Sequence, residues 1–143
     1  MRDLGIRTKL MGGEGLASDE FVSIGGAGVE GTLMTYGPDP RKRAEAKAVV
    51  GKFGAKNFEP EHYTLYSYAA VQIIKQAAEA ANSLDPKKVA ETMKSDRKFY
   101  TVMGELSYDQ KGDLTSPGYV MYEWKKDDKS GKINYVEIDQ KSR

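Results

Sequence analysis

TKLMGGEGLASDEF, residues 8–21, decides how this chain is read. Thr8–Met11 is a short run suited to a strand, and Gly12, Gly13 and Gly15 break it. Ser18 or Asp19 then caps a short helix over Glu20–Ile24, because a short polar side chain satisfies the free amides of a first turn. Strand, glycine turn and helix in that order make the class α/β. The same stretch sets a lone carboxylate, Glu14, among three glycines at the tip of the strand. Such an acid is either an exposed turn residue or a charge presented to something small.

Upstream, RDLG reads as a helix end with a turn at Gly5, so the chain is expected to begin in mid-unit. Downstream, Gly25, Gly26 and Gly28 stop the helix, and GTLMTYG, Gly31–Gly37, is a Thr- and Tyr-rich strand bounded by glycine. Asp39-Pro40 offers an N-cap followed by proline at the first helical position, predicting a helix from Pro40 to Lys52 or beyond. Its apolar residues Ala46, Val49, Val50 and Phe53 fall at helical spacing. The longest helix covers Glu61–Asn82. Gln72, Lys75, Gln76, Glu79 and Asn82 form its polar stripe; Tyr66, Ala70, Ile73, Ile74, Ala77 and Ala81 form its core face. LDPKKVAETMKS repeats the Asp-Pro start, with Val89 and Met93 one turn apart. The period then changes. TVMGELSYD gives short strands broken at Gly104, and YVMYEWK alternates Val120, Tyr122 and Trp124 against Tyr119, Met121 and Glu123. KDDKSGK turns the chain and INYVEI returns it, forming a C-terminal β-hairpin.

The 143 residues suit one domain with a real core. Lys and Arg total 22 against 21 Asp and Glu, a formal charge of +1 with both signs interspersed. That balance gives no footing for counterion-release binding, so no nucleic-acid partner is expected. There is no cysteine, which excludes a disulfide framework, a cysteine zinc site and thiol catalysis. One histidine, His62, excludes His-rich metal sites, and beside Glu61 in a first turn it reads as exposed and solvated. No metal and no cofactor are expected. No stretch has the length of a membrane helix, and RDLGIRTKL lacks the apolar region and cleavage site of a secretory signal peptide.

Gly26-Ala27-Gly28-Val29-Glu30-Gly31 spells the dinucleotide pattern G-x-G-x-x-G. Its mechanism needs a strand before and a helix after, so that pyrophosphate meets a helix N-terminus. Here the order is inverted, and a structural loop is expected. SYDQKGDLT lacks the alternating acids and terminal glutamate of a calcium loop and reads as a turn. Tyr63, Tyr66 and Tyr68 crowd the start of the long helix, where aromatics serve either core packing or a cleft edge. Glu14 is the strongest candidate. Ligands in open α/β sheets bind at strand ends, glycines permit close approach, and a charge-assisted hydrogen bond to an ammonium contributes about 1.5–3 kcal/mol.

KLMGGEGLASDEFVSIGGAGVEGTLMTYGPDPRK, then EHYTLYSYAAVQIIKQAAE and VMGELSYDQKGDLTSPGYVMYEWKK, resemble the branched-chain amino-acid-binding proteins of bacterial ABC importers. These are leucine/isoleucine/valine-type periplasmic receptors with the type I periplasmic-binding-protein fold, two Rossmann-like lobes joined by crossing strands. The resemblance covers nearly all of this chain but only the C-terminal part of the family. It implies that residues 1–37 belong to the second lobe, 38–116 to the first lobe, and 117–143 to the second lobe's hairpin. By the same resemblance, Glu14 with Gly13 and Gly15 accepts the ligand's α-ammonium, and Leu65 and Tyr66 lie near its aliphatic side chain. A membrane permease is the implied partner, the family is periplasmic, and no enzyme activity is implied.

Half a cleft leaves edges and apolar faces uncovered, so self-association as a homo-oligomer, including an element-swapped dimer, is expected. Two rivals remain: a fragment that binds no small molecule and only oligomerises, and an enzyme using Glu14 as a base with a nucleotide at Gly26–Gly31.

Overall fold

The computed structural model describes residues 4–116 and 118–138. In chain order the elements are β1 (Met11–Gly12), α1 (Asp19–Gly25), β2 (Leu33–Tyr36), α2 (Lys47–Gly54), α3 (His62–Ala81), α4 (Pro86–Met93), β3 (Phe99–Thr101), β4 (Gly104–Leu106), β5 (Val120–Lys126) and β6 (Ile133–Glu137). The class is α/β, as expected from the sequence. The described residues of Met1–Pro38 and Gly118–Arg143 form one compact unit, and those of Asp39–Pro117 form another.

The first unit is built on a sheet ordered β1-β2-β5-β6. β1 and β2 run parallel, as a strand–helix–strand connection requires, and the remaining pairs are antiparallel. Ser18 caps α1 as expected: its Oγ accepts from the Phe21 N–H at 3.2 Å, and Asp19 and Glu20 lie where the helix dipole favours acids. Gly26, at φ +51°, ends the helix in a conformation that favours glycine. β2 alternates as a half-buried strand, with Met34 and Tyr36 inward, and Tyr122 of β5 completes their cluster. Trp124 stacks edge-on against Tyr135 at 5.0 Å. The hairpin β5–β6 and the period-2 burial of Tyr122 and Trp124 match the sequence pattern. β1 is shorter than Thr8–Met11 and displaced to Met11–Gly12. Leu10 C=O accepts from Leu33 N–H at 2.9 Å, the bond that opens the pairing of β1 with β2.

In the second unit α3 supplies the spine. His62, Leu65, Ala69, Ile73 and Ala77 recur every three or four residues and are buried. Leu65 and Ala69 meet Ala46, Val102 and Met103; Ile73 and Ala77 meet Phe99, with Val89 and Met93 of α4 packed against them. This face is rotated from the expected one, since Ile74 is exposed and Ala70 also faces outward. Hydrogen bonding explains the rotation. β3 and β4 pair antiparallel as a two-stranded hairpin, and Gln72 and Gln76, expected on a solvated stripe, turn to it: Gln72 Oε1 accepts from Val102 N–H at 2.9 Å. Gln76 both accepts from Tyr100 N–H (3.1 Å) and donates to Tyr100 C=O (2.9 Å).

Two further expectations fail here. The helix foreseen from Pro40 is interrupted: Pro40–Lys42 and Ala44–Ala46 are 3₁₀ turns separated by Arg43 at φ −80°, ψ 142°, and α2 starts only at Lys47. Asp39 caps the first turn as expected but also grips the Arg41 side chain, which holds a tight local loop in place of a continuing helix. His62 is not solvated; it is 3% exposed, because it begins the buried stripe of α3. Asp85 caps α4 through Lys87 and Lys88 N–H, with Pro86 in the first turn, as the Asp-Pro signal predicts.

Candidate functional site

Glu14 stands where β1 ends. Gly13 is extended, and Glu14–Leu16 form a single 3₁₀ turn closed by Leu16 N–H to Gly13 C=O (3.2 Å) and Ala17 N–H to Glu14 C=O (2.8 Å). Leu16 and Ala17 pack on the Met34–Tyr36–Tyr122 cluster, and that packing anchors the loop from below. The parallel pairing of β1 with β2 puts the loop at the carboxyl edge of both strands. The register Tyr36↔Val120 brings the start of β5 to the same edge, with Tyr119 just before it and 71% exposed. Tyr122 Oη donates to Gly37 C=O at 3.0 Å and pins the chain leaving β2.

The three glycines differ in their reasons. A Cβ on Gly12 would lie 2.6 Å from Leu16 Cδ1, so a side chain there would push Leu16 from its place. A Cβ on Gly13 or Gly15 would meet no atom within 4 Å, and neither has a positive φ. Nothing in the unit's own packing requires glycine at those two positions; the space above them is open. Glu14 is exposed between them, and among the described residues no side chain pairs with its carboxylate. Glu123, on the same sheet, is the opposite case: hydrogen bonds from Lys125 and Lys9 hold its carboxyl below the ordinary range.

In the second unit Leu65 and Tyr66 are neighbours on α3. Leu65 is wholly enclosed by its own core, and Tyr66 is half-buried against the same cluster, so Tyr66 keeps the accessible surface of the two. Near the start of that helix lies a knot of polar groups. The Arg41 guanidinium forks onto Asp39 at 2.8–3.2 Å, Arg41 N–H donates to Asp39 Oδ1 at 3.0 Å, and His62 Nε2 lies 3.9 Å from Asp39 Oδ1. Burial pushes the Asp39 carboxyl up, but the hydrogen bonds from Arg41 outweigh it and hold the group below its ordinary value. Burial pushes the His62 imidazole down, opposed in part by Asp39.

Gly26–Val29 is a 3₁₀ turn between α1 and β2, and Gly31 N–H donates to Trp124 C=O, so the glycine pattern is a structural loop. In the other acidic segment Asp109 accepts from Gly112 and Asp113 N–H, closing a turn around Gly112 at φ +102°. Among the described residues no cluster of three or more metal-ligating side chains is found. Tyr119 is the edge residue that sequence reading gave only a place in the alternation of a half-buried strand. Its place comes from a register spanning more than eighty residues, for which no local signal exists.

The chain matches a family model described as periplasmic binding protein over residues 1–130. It is 53% identical over 137 residues to Leu/Ile/Val-binding protein homolog 1 of Brucella suis, which covers 96% of this chain and 37% of that protein. Its fold is similar to that of a leucine binding protein LivK from Thermotoga maritima, with TM-score 0.76 and 28% identity over 98% of this chain and 40% of that one. It is similar also to a type 1 periplasmic binding protein from Bordetella pertussis, with TM-score 0.73 and 22% identity over 96% and 41%. The chain thus spans about 37% of the length of the curated relatives it matches.

Proposed function

The chain belongs to the periplasmic binding protein family, and from that premise we propose that its glycine-flanked loop captures the ammonium group of a small aliphatic amino acid in a branched-chain-type ABC importer. The family consists of periplasmic substrate-binding proteins of ABC transporters and not of enzymes. Among the described residues no helix is long and apolar enough to cross a membrane. In this reading residues 1–37 and 117–143 are parts of one lobe and 38–116 part of the other, and the receptor delivers its cargo to a membrane permease.

The observation that carries the reading is Glu14 itself: an exposed carboxylate at the carboxyl edge of two parallel strands, unpaired among the described residues, with open space over Gly13 and Gly15. Crevices outside the carboxyl ends of strands are where open α/β sheets hold ligands. An ammonium there donates to both carboxylate oxygens, and the missing glycine side chains let its backbone-like end come close. Tyr119, exposed at the same sheet edge, supplies aromatic surface of the type that selects aliphatic side chains. The test is calorimetric titration of the chain with leucine, with N-acetyl-leucine as the control that lacks the ammonium. Heat with leucine alone, lost in Glu14→Ala, supports the role; equal affinity of Glu14→Ala and the parent overturns it.

A second reading is favoured by a different observation. Val71, Ile74 and Leu84, which line one groove, are 66%, 54% and 89% exposed, and a contiguous apolar surface of this kind marks an interaction site. Here the chain is a self-associating fragment without a small-molecule ligand. Silence toward all aliphatic amino acids, together with a mass that rises with concentration, selects it.

A further inference from the structure

His62 is the first residue of α3 and is 3% exposed, a poor place for a positive charge. Burial withholds water from it, and a helix N-terminus repels a cation. Its Nε2 lies 3.9 Å from Asp39 Oδ1, roughly 1 Å beyond an ordinary hydrogen bond. That oxygen is occupied: Arg41 N–H donates to it at 3.0 Å and Arg41 Nε at 2.9 Å, while Oδ2 accepts from Arg41 Nη2 at 2.8 Å. Among the described residues the charged groups that act on His62 are Asp39, Arg41 and Lys42 on the entering segment and Glu61 at the cap of α3. All four belong to the same unit, Asp39–Pro117. Burial holds the imidazole below its ordinary value, with Arg41 and Lys42 adding to it and Asp39 and Glu61 opposing. At neutral pH the ring is therefore uncharged, and Asp39 belongs to Arg41.

Acid changes the balance. With a proton on His62, two cations compete for one carboxylate, and exposure decides between them. The Arg41 side chain is 35% exposed and can return its charge to water. A buried imidazolium cannot, and a buried charge without its partner is the costlier of the two. We propose that Asp39, Arg41 and His62 form a proton-operated latch: on protonation His62 draws Asp39 Oδ1 away from Arg41, and the turn Pro40–Lys42 is released. The release follows because Oδ1 also caps that turn through the Arg41 N–H. The turn lies where the chain leaves Pro38, the last residue of the first unit, and enters the second at Asp39. Acidification thus loosens the point of entry, and neutrality tightens it. The latch goes beyond the amino-acid reading and stands whether or not that reading holds.

NMR titration of the full chain from neutral to acid pH tests it, and the single histidine makes the ring signal unambiguous. The ring signal is expected to move in one step below pH 6.5, and the Arg41 Nε–H signal to be lost to solvent exchange in the same step. A ring that titrates while Arg41 Nε–H stays unchanged overturns the proposal. Unfolding before the ring titrates overturns it as well, since no folded state then carries the latch. Two variants separate an exchange of partners from the removal of a nearby charge. Arg41→Met is expected to raise the His62 midpoint by about one pH unit or more. Lys42→Met, which removes a cation that acts on His62 but not on Asp39, is expected to raise it by less than half as much. In the Asp39→Asn background the effect of Arg41→Met is expected to shrink at least twofold. Equal effects of the two cations, or an Arg41→Met effect that survives Asp39→Asn in full, overturn the exchange.

Discussion

Glu14 and Asp39 are acids in comparable settings, each flanking a tight turn at the start of a 3₁₀ segment, yet they are treated in opposite ways. Asp39 has its carboxylate filled from within: two guanidinium nitrogens, a backbone N–H and a nearby imidazole surround it, and its side chain is only 10% exposed. Glu14 has no such partner among the described residues and faces open space between two glycines. A carboxylate whose acceptor sites are filled by its own chain organises that chain. One left with open acceptor sites, in a loop packed on its own unit's core, is, on the proposed reading, offered to an outside donor. The contrast also separates two kinds of loss, binding without stability and stability without binding.

The largest expected effect breaks the comparison on the binding side. In a version of full family length, where the ammonium is enclosed, Glu14→Ala removes about 3–5 kcal/mol of amino-acid affinity, the scale on which a desolvated charge left without its partner is destabilising. The free energy of unfolding in urea changes by less than about 0.5 kcal/mol, as for other exposed substitutions. Calorimetry and denaturation on one preparation check both halves. A fall in stability as large as the fall in affinity would place Glu14 with Asp39. Next, Asp39→Ala removes the cap and the fork on Arg41 together, and about 2–3 kcal/mol of stability of the second unit goes with them. Urea unfolding followed by helix signal measures it.

The glycines sharpen the contrast. Gly12→Ala forces a Cβ against Leu16 and destabilises by about 1–3 kcal/mol through overpacking. Gly13→Ala meets no atom of the unit and leaves stability within about 0.5 kcal/mol, yet narrows the approach to Glu14 and weakens leucine binding. Thermal unfolding and titration of both variants separate the two roles. The smallest effect is on pH dependence. His62 titrates below its ordinary 6.5 in the folded chain, so the unfolded chain takes the proton first. Its contribution to stability is complete above pH 6.5 and is lost as pH falls toward the lowered folded value. Asp39, also lowered, adds its own loss below about pH 3.8. Urea midpoints at successive pH values should fall on acidification from neutrality, and His62→Gln should remove the first part of the fall.

What the sequence disclosed tracks what is local. Ser18 and Asp85 as caps, the span of α3, the alternation of Tyr122 and Trp124, and the β5–β6 hairpin all rest on side chains within a few residues of the feature they specify. The failures are tertiary. The Pro40–Lys52 segment has helical spacing throughout, but the grip of Asp39 on Arg41 and the extended Arg43 divide it. Hydropathy alone placed Ile74 inside and Gln76 outside, whereas the hairpin's need for hydrogen-bond partners turned the helix toward its glutamines. His62 reads as solvated from its place beside Glu61 in a first turn, and only the packing of the whole stripe buries it. For the candidate site, Glu14 and its glycines stood out as a string. Their position at a two-strand edge, and Tyr119 beside it, depends on pairings across the length of the unit.

The attachment of β3 to α3 has a consequence for how this region tolerates change. A strand joined to another strand is held by main-chain atoms, which every amino acid but proline supplies equally. Here the neighbouring rail is a pair of carboxamides, one of which reads both the donor and the acceptor of Tyr100. The seam is therefore written in side-chain identity: even the swap of Gln76 for glutamate, nearly the same shape, keeps the acceptor and deletes the donor. The hairpin would then hang by two hooks where it now hangs by three.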